Sequence, residues 1–415
     1  MTNELEPTSP AGAKSTRLLA RHGQLAKPRP WRSVVAFVAA ALAVLLVSGA
    51  SVAAIVVYQL GSDIETFVLP GQTAGEQAPS IGAYEGGFNI LIVGSDVCED
   101  DSGCNGRGSA ELNDVTMLLH VSEDQTNATA VSFPRDLVVP VPSCPRADGN
   151  GSYSAMSARP INETLSYGGL SCTVLTVEEF TGMDIQFAGL IKFSGVIKMS
   201  DAVGGVPVCV SGPVVDSDSG LNLPEAGTYT LSGQDALNFL RTRHAIGDGG
   251  DLTRISSQQV FLSSLLRTLQ SSETLGDPVK VYNLARAATS SMLLSDNFAQ
   301  LDTLASVALA LKDIPLENFN FVQYPGSTEG TGVYAGKVQP VEAKAEELFD
   351  KIRADEPFTL APGGDGQGSA PAPDATAAPV APGVSAAPSA GAEAPVEELD
   401  QRGQTAADVT CSIAN

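Results

Sequence analysis

Asp251, Arg254 and Gln258 follow one another at the spacing of successive helical turns, and Arg241 and Arg243 stand just before them in Leu240-Arg241-Thr242-Arg243-His244. On a helical wheel, Arg254, Gln258, Leu262, Leu265 and Leu269 all fall on the same face as Asp251. One stripe is therefore polar in its first two turns and apolar afterward. A charged group facing inward needs a partner or a ligand, and a helix N-terminus adds partial positive charge that favours an anion. Two arginines a residue apart suit a dianion held between them. The alternatives are an Asp251–Arg254 cap salt bridge and a pair of solvated arginines. His244, in a glycine-rich loop, is not assigned a catalytic role. The opposite side of the helix, carrying Thr253, Ser256, Ser257, Ser263, Ser264 and Arg267, is expected to face solvent.

Three more groups belong to the same chemistry. Arg135, in Ser132-Phe133-Pro134-Arg135-Asp136, follows a run that reads as a buried strand, and ligands of open α/β sheets sit at the carboxyl ends of strands. Asp96 ends one strand and Asp114 begins the next, so neighbouring strands would bring both to one sheet edge. Two hard oxygen ligands beside arginines suit Mg²⁺ bridging to phosphate oxygens. As bare residues at strand ends, both aspartates also read as turn caps, and Arg135 as a turn salt bridge with Asp136.

Such groups need a sheet and helices to hold them. Strands are predicted at Phe88–Val93, Val115–Val121, Ala128–Phe133, Val206–Val210 and Asn318–Gln323, where short apolar runs lie between turn residues. Helices are predicted at Thr173–Thr181, Lys192–Ala202, Gln234–Arg241, Leu252–Leu269, Phe298–Leu311 and Val341–Ile352, with Ser232 and Asp235 resembling a capping box. The alternation predicts an α/β domain over residues 85–355, a central sheet covered by helices on both faces.

The flanks are of another kind. Residues 1–32 hold six cations and two acids, +4 within a chain of net charge −23, which leaves −27 for the rest. Such a surface offers no broad patch for nucleic acid. Residues 33–60 hold no charge, and 28 residues of helix span about 42 Å, enough to cross a hydrocarbon core. A cleaved signal peptide has a shorter apolar region, so the reading is one transmembrane helix. Its flanking charges predict a cytoplasmic N-terminus and an extracellular remainder. Residues 61–84 read as a tether. Residues 356–398 read as a disordered arm, because 25 of the 35 residues from Ala361 to Pro395 are Ala, Pro or Gly and cannot bury enough surface to offset chain entropy. A C-terminal segment, 399–415, follows. All six cysteines lie beyond the apolar helix, where disulfides form. Cys98 with Cys104 and Cys144 with Cys172 are the candidate pairs, and Cys209 and Cys411 stay unassigned. No C-x-x-C pair suggests structural zinc.

Together, Gly94-Ser95-Asp96, Asn113-Asp114-Val115-Thr116, Ser132-Phe133-Pro134-Arg135-Asp136, Ile161-Asn162 with Tyr167-Gly168-Gly169, Asp201-Ala202-Val203-Gly204-Gly205-Val206, and Arg241-x-Arg243 with Asp251-x-x-Arg254-x-x-x-Gln258 resemble the LytR-CpsA-Psr family of cell-wall glycopolymer ligases, in particular its actinobacterial members. The resemblance covers about residues 86–352. It implies a three-layer α-β-α sandwich with a central mixed sheet that holds a polyprenyl-pyrophosphate-linked glycopolymer and transfers a glycopolymer phosphate to a peptidoglycan hydroxyl. By motif, Asp96 and Asp114 would be Mg²⁺ ligands, Arg135, Arg241, Arg243, Arg254 and Gln258 would hold the phosphates, and Asp251 would orient arginines or assist proton transfer. Many members carry an arginine soon after the first aspartate, where this chain has Val97-Cys98 and an acidic insert, and Arg107 is a candidate substitute. A polyprenyl-pyrophosphate hydrolase and a non-catalytic carrier-binding or regulatory protein are the alternatives.

Overall fold

The computed structural model describes residues 30–62, 64–75, 77–96, 111–146, 150–360, 367–373 and 396–415. Helix α1 (Pro30–Ser62) exposes Phe37, Leu46 and most of its other apolar side chains. A continuous apolar surface of this length fits a single-pass membrane anchor.

The remainder, from Val57 to Asn415, forms one compact unit. Its central sheet has eight strands, β1 (Glu65–Phe67), β2 (Phe88–Ser95), β3 (Asn113–Val121), β4 (Ala128–Phe133), β5 (Phe187–Lys192), β6 (Met292–Ser295), β7 (Phe319–Gln323) and β8 (Gly403–Thr405), in the order β1-β6-β5-β2-β3-β4-β7-β8. The sheet is mixed. β5 runs parallel to β2 and β7 parallel to β4, whereas β3 is antiparallel to both its neighbours. Side chains alternate between two cores, as the period of two requires. Leu91, Val93, Leu118 and Val131 face α2 (Thr164–Thr181) and α9 (Glu342–Arg353). Phe88, Ile90, Leu119 and Ala130 face α8 (Leu301–Asp313), with Leu262 and Leu266 of α5 (Asp251–Gln270) packed against the same core. The result is the expected three-layer sandwich.

α3 (Phe193–Ala202), α4 (Gly233–Arg241), α6 (Ser272–Leu275) and α7 (Pro278–Thr289) complete the helices. At the start of α4 the Ser232 hydroxyl makes no cap; the Asp235 N–H donates instead to the Ser232 carbonyl oxygen at 3.2 Å. The predicted helix at Thr173 starts nine residues earlier, at Thr164, and is broken at Gly168 and Gly169, the latter at φ 65°. A side chain at Gly168 would strike the Pro145 carbonyl at 2.6 Å. The break makes room for the Cys144–Cys172 disulfide, which pins the preceding hairpin to α2. Cys98, Cys104 and Arg107 lie outside the described residues.

Four expectations about boundaries and faces are corrected. The tether is not structureless along its length, because residues 65–67 pair with β6 as an edge of the central sheet and Leu69 is buried. The arm contains strands at Phe358–Leu360 and Ser369–Pro371. The C-terminal segment is part of the domain: β8 pairs with β7, and Thr410–Ser412 runs between Val206–Val210 and Ser369–Pro371 in a second, four-stranded sheet, joined to it by the Cys209–Cys411 disulfide.

That second sheet explains the fourth correction. Thr253, Ser256, Ser257, Ser263 and Ser264 are buried rather than solvated. α5 lies between the two sheets, with Val260 and Phe261 in the core of the smaller one. Its hydroxyl face is covered by chain from far along the sequence: Gln404 donates to Ser263 Oγ at 2.7 Å, Ser264 donates to the Pro207 carbonyl, and Arg267 donates to the carbonyls of Ala406 at 2.6 Å and Asp408 at 2.9 Å. Small hydroxyl side chains suit close approach of strands while still satisfying buried backbone carbonyls.

Candidate anion site

The carboxyl end of β4, the amino end of β3 and the first turns of α5 meet at one edge of the central sheet. Asp114 Oδ1 accepts a hydrogen bond from Arg135 Nη1 at 2.8 Å and lies 3.8 Å from Arg243 Nη2 and 3.9 Å from Arg254 Nη1. Three guanidinium groups from three separate elements thus converge on one carboxylate oxygen. Arg254 is 3% exposed, donates to the Asp114 carbonyl at 3.1 Å, and stands 2.6 Å from Asp251 Oδ1 in an ion pair without hydrogen-bond alignment.

Electrostatics follow from this crowding. Burial raises the Asp114 carboxyl, but the charges of Arg254, Arg135 and Arg243 and the Arg135 hydrogen bond outweigh it, and the net pKa is below the ordinary value. For Arg243, burial and the neighbouring charges of Arg254 and Arg135 outweigh the attraction of Asp114 and Asp251, and its pKa falls to about 10. At Arg243 the like charges of Arg254 and Arg135 thus add to the cost of burial, whereas, against burial, Asp114, Asp136 and Asp251 hold the Arg135 guanidinium above its ordinary value; an anion entering beside Arg243 would offset the repulsion there.

An open cleft of about 250 Å³ is lined by these groups. Asp114, Arg135, Arg241, Arg243 and Arg254 all border it, four guanidinium groups against three carboxylates once Asp216 and Asp218 are included. Arg241, the last residue of α4, stacks over the Phe193 ring at 4.8 Å. Asp251 lies behind the arginines and accepts the Arg135 backbone N–H at 2.8 Å. His244 borders the cleft, is well exposed and faces Asp218 at 3.5 Å.

Besides Asp251, two more expected site residues stand outside the lining. Gln258 is buried and donates to the Leu240 carbonyl at 3.1 Å; it holds the end of α4 and thereby Arg241. Asp96 accepts the Leu112 N–H at 3.1 Å, which ties the end of β2 to the approach to Asp114. Asp216, Asp218 and Ser219 were not anticipated. Asp216 accepts the N–H groups of Asp218, Ser219 and Arg243, so the Asp216-Ser217-Asp218-Ser219-Gly220 turn supports the Arg243 backbone. Its turn character is readable in sequence, but nothing in its spacing places it against residue 243.

A family model described as the LytR_cpsA_psr family matches residues 57–352. The cell wall biosynthesis protein LcpA of Corynebacterium glutamicum is 32% identical over 380 residues, covering 84% of this chain and 70% of that protein. The polyisoprenyl-teichoic acid–peptidoglycan teichoic acid transferase TagT of Bacillus subtilis is 23% identical over 79% of this chain and 96% of its own. Among solved structures, the LytR-Csp2A-Psr enzyme from Actinomyces oris shares the fold with a TM-score of 0.53 and 21% identity, covering 70% of this chain and 95% of that one.

Proposed function

The chain belongs to the LytR_cpsA_psr family, and on that premise we propose that it is a membrane-anchored phosphotransferase moving a glycopolymer phosphate from a polyprenyl-pyrophosphate carrier to a peptidoglycan hydroxyl. The observation that carries the reading is the convergence of Arg135, Arg243 and Arg254 on Asp114 Oδ1 inside an acidic protein. The names of the relatives, cell wall biosynthesis and teichoic acid transfer to peptidoglycan, supply the substrate class. The charge asymmetry of the sequence around α1 supports an orientation with the N-terminus in the cytoplasm and the site outside, on the side where wall acceptor lies.

In this reading Arg135, Arg241, Arg243 and Arg254 bind the pyrophosphate and neutralise charge that grows on its oxygens as transfer proceeds. Phosphoryl transfer asks for positioning and charge stabilisation more than for covalent chemistry. Asp251 positions: it fixes the Arg135 backbone and pairs with Arg254.

Among the described residues no three His, Cys, Asp or Glu side chains are grouped to hold a metal, so these residues alone make no metal cage. The donor set fits the other mode of Mg²⁺ binding, one or two carboxylates with the remaining ligands from phosphate and water. All three arginine contacts fall on one oxygen of Asp114; Asp114 and Asp96 are the residues that would hold the ion. Bound there, Mg²⁺ would withdraw charge from the phosphate oxygens.

The test is incubation with a polyprenyl-pyrophosphate-linked oligosaccharide, Mg²⁺ and peptidoglycan fragments, following polyprenyl phosphate release and fragment mass. A fragment heavier by one sugar-phosphate chain is the expected product. Release without an adduct would identify a hydrolase, and binding with neither product would identify a carrier-binding protein.

A further inference from the structure

We infer that a second cleft at the same edge of the central sheet is the acceptor subsite, taking a carboxylate-bearing glycan through Arg402 and Gln323. The inference rests on the transferase reading above.

This cleft, of about 330 Å³, opens where β7 ends, α9 begins and the C-terminal segment crosses, and Gln323, Tyr324, Gly326, Lys344, Gln401 and Arg402 line it. It shares no lining residue with the arginine cleft, yet the two are joined by short contacts. β7 runs parallel to β4 with Gln323 beside Ser132, and the Tyr324 N–H donates to the Ser132 carbonyl at 2.9 Å, three residues before Arg135. From Arg135 a charged chain leads the same way: Nε lies 3.7 Å from Asp136 Oδ2, and Asp136 Oδ1 lies 2.9 Å from Lys337 Nζ. Lys337 precedes the short strand Gln339–Pro340, which pairs with Gly326 and Ser327.

The chemistry of the lining selects the ligand. Gln323 is 3% exposed, and its Oε1 accepts no hydrogen bond. A buried acceptor without a donor is costly, and a glycan hydroxyl or amide N–H arriving in the cleft would remove that cost. The Lys344 charge is matched by Asp400 at 2.8 Å. Arg402 is exposed and forms no ion pair among the described residues. A planar guanidinium left unpaired in an acidic protein suits a carboxylate. In-line transfer brings the acceptor to phosphorus from the side opposite the departing carrier phosphate, and a cleft joined to the arginine cleft through Ser132 and Arg135 offers the acceptor a holding place apart from the carrier. Arg402 also lies beyond the residues 57–352 that the family model matches, so its contribution is a property of this chain's C-terminal segment.

The glycopolymer on the carrier is the other source of an acidic glycan, and steady-state transfer separates the two. The full chain in detergent micelles would be assayed with the carrier-linked oligosaccharide and a peptidoglycan fragment bearing its acidic peptide stem, for wild type, Arg402→Ala, Arg402→Lys and Gln323→Leu. Arg402→Ala should raise KM for the fragment about ten-fold, the worth of one charge-assisted hydrogen bond, and leave kcat and the carrier KM within about two-fold. Arg402→Lys should recover part of the loss, and Gln323→Leu should raise the same KM. An unchanged fragment KM in Arg402→Ala overturns the inference, and so does a rise confined to the carrier KM. If wild type forms no adduct at all, the transferase reading fails. Binding of a labelled fragment then decides the cleft: loss in Arg402→Ala supports a glycan site, and equal binding refutes one.

Discussion

The backbone N–H of Arg135 donates to Asp251 Oδ2 at 2.8 Å, so the end of β4 is fastened to the first turn of α5. The same carboxylate faces Arg254 through its other oxygen at 2.6 Å. One buried side chain therefore sets the relative position of two cations that come from elements more than a hundred residues apart.

Replacing Asp251 with Ala should remove both attachments at once. The substitution leaves a guanidinium that is 3% exposed facing an empty position, and breaking a buried pair costs about 3 kcal/mol. Chemical denaturation should show that loss. Transfer should fall more than the remaining folded fraction accounts for, because Arg135 and Arg254 lose their positions. Asp251→Asn keeps the acceptor for the Arg135 N–H and should retain more stability than Asp251→Ala.

Arg254→Ala is expected to cost about 3 kcal/mol or more of transition-state stabilisation, on the scale of losing one oxyanion donor. Its Nη1 stands 3.9 Å from Asp114 Oδ1 and its Nη2 donates to the Asp114 carbonyl, so the group is already aimed at the cleft before substrate arrives. kcat/KM for the carrier-linked oligosaccharide measures the loss, and full activity in the variant would remove Arg254 from the site.

The pKa of Arg243 near 10 gives a prediction with a definite sign. Burial and the charges of Arg254 and Arg135 lower it from the ordinary arginine value. The folded chain releases this proton before the unfolded chain does, so the cost to folding is fully present below pH 10 and is relieved as pH rises through that value. Removing the charge should relieve it at any pH. Arg243→Gln is therefore expected to raise Tm of the free protein at pH 7.5 by about 2 °C, while the additional rise produced by inorganic pyrophosphate shrinks. Thermal unfolding with and without pyrophosphate measures both, and a lower Tm in the variant would contradict the net cost of burying this charge beside Arg254 and Arg135.

The central strands and the polar start of α5 were legible because their patterns are local. Leu91, Val93, Leu118 and Val131 alternate across the sheet as their spacing dictates, and Asp114, Arg135, Arg243 and Arg254 carry charges that an apolar frame makes conspicuous. What was not legible depended on distant chain. A helical wheel places Ser256 and Ser263 opposite the apolar stripe, and only the arrival of Gln404 and the strand Thr410–Ser412 decides that this side is buried. β6 is only four residues long, and β5 carries Gly189 within its apolar run, where a Cβ would crowd Leu294 Cδ2 at 3.0 Å. Asp216 reads as a turn residue, and its contact with the Arg243 N–H spans 27 residues of sequence.

The C-terminal segment should therefore be required for folding, although it follows a stretch rich in Ala, Pro and Gly. The Cys209–Cys411 disulfide closes a sequence separation of 202 residues, and closing a long loop restricts the unfolded chain most. Its partners in the folded state are buried: Cys411 is 1% exposed, Ser412 0% and Gln404 1%. Replacing both Cys209 and Cys411 with Ser should cost about 2–5 kcal/mol, measured by denaturation, and leave the arginine cleft able to bind pyrophosphate below the new Tm. Ending the chain at residue 395 goes further, since it also strips β8 from the sheet and leaves the Arg267 guanidinium without the Ala406 and Asp408 carbonyls. That truncation should yield insoluble protein, whereas the double Ser variant should remain soluble. A truncated chain as stable as the full one would show that the second sheet is an accessory to α5 rather than its cover.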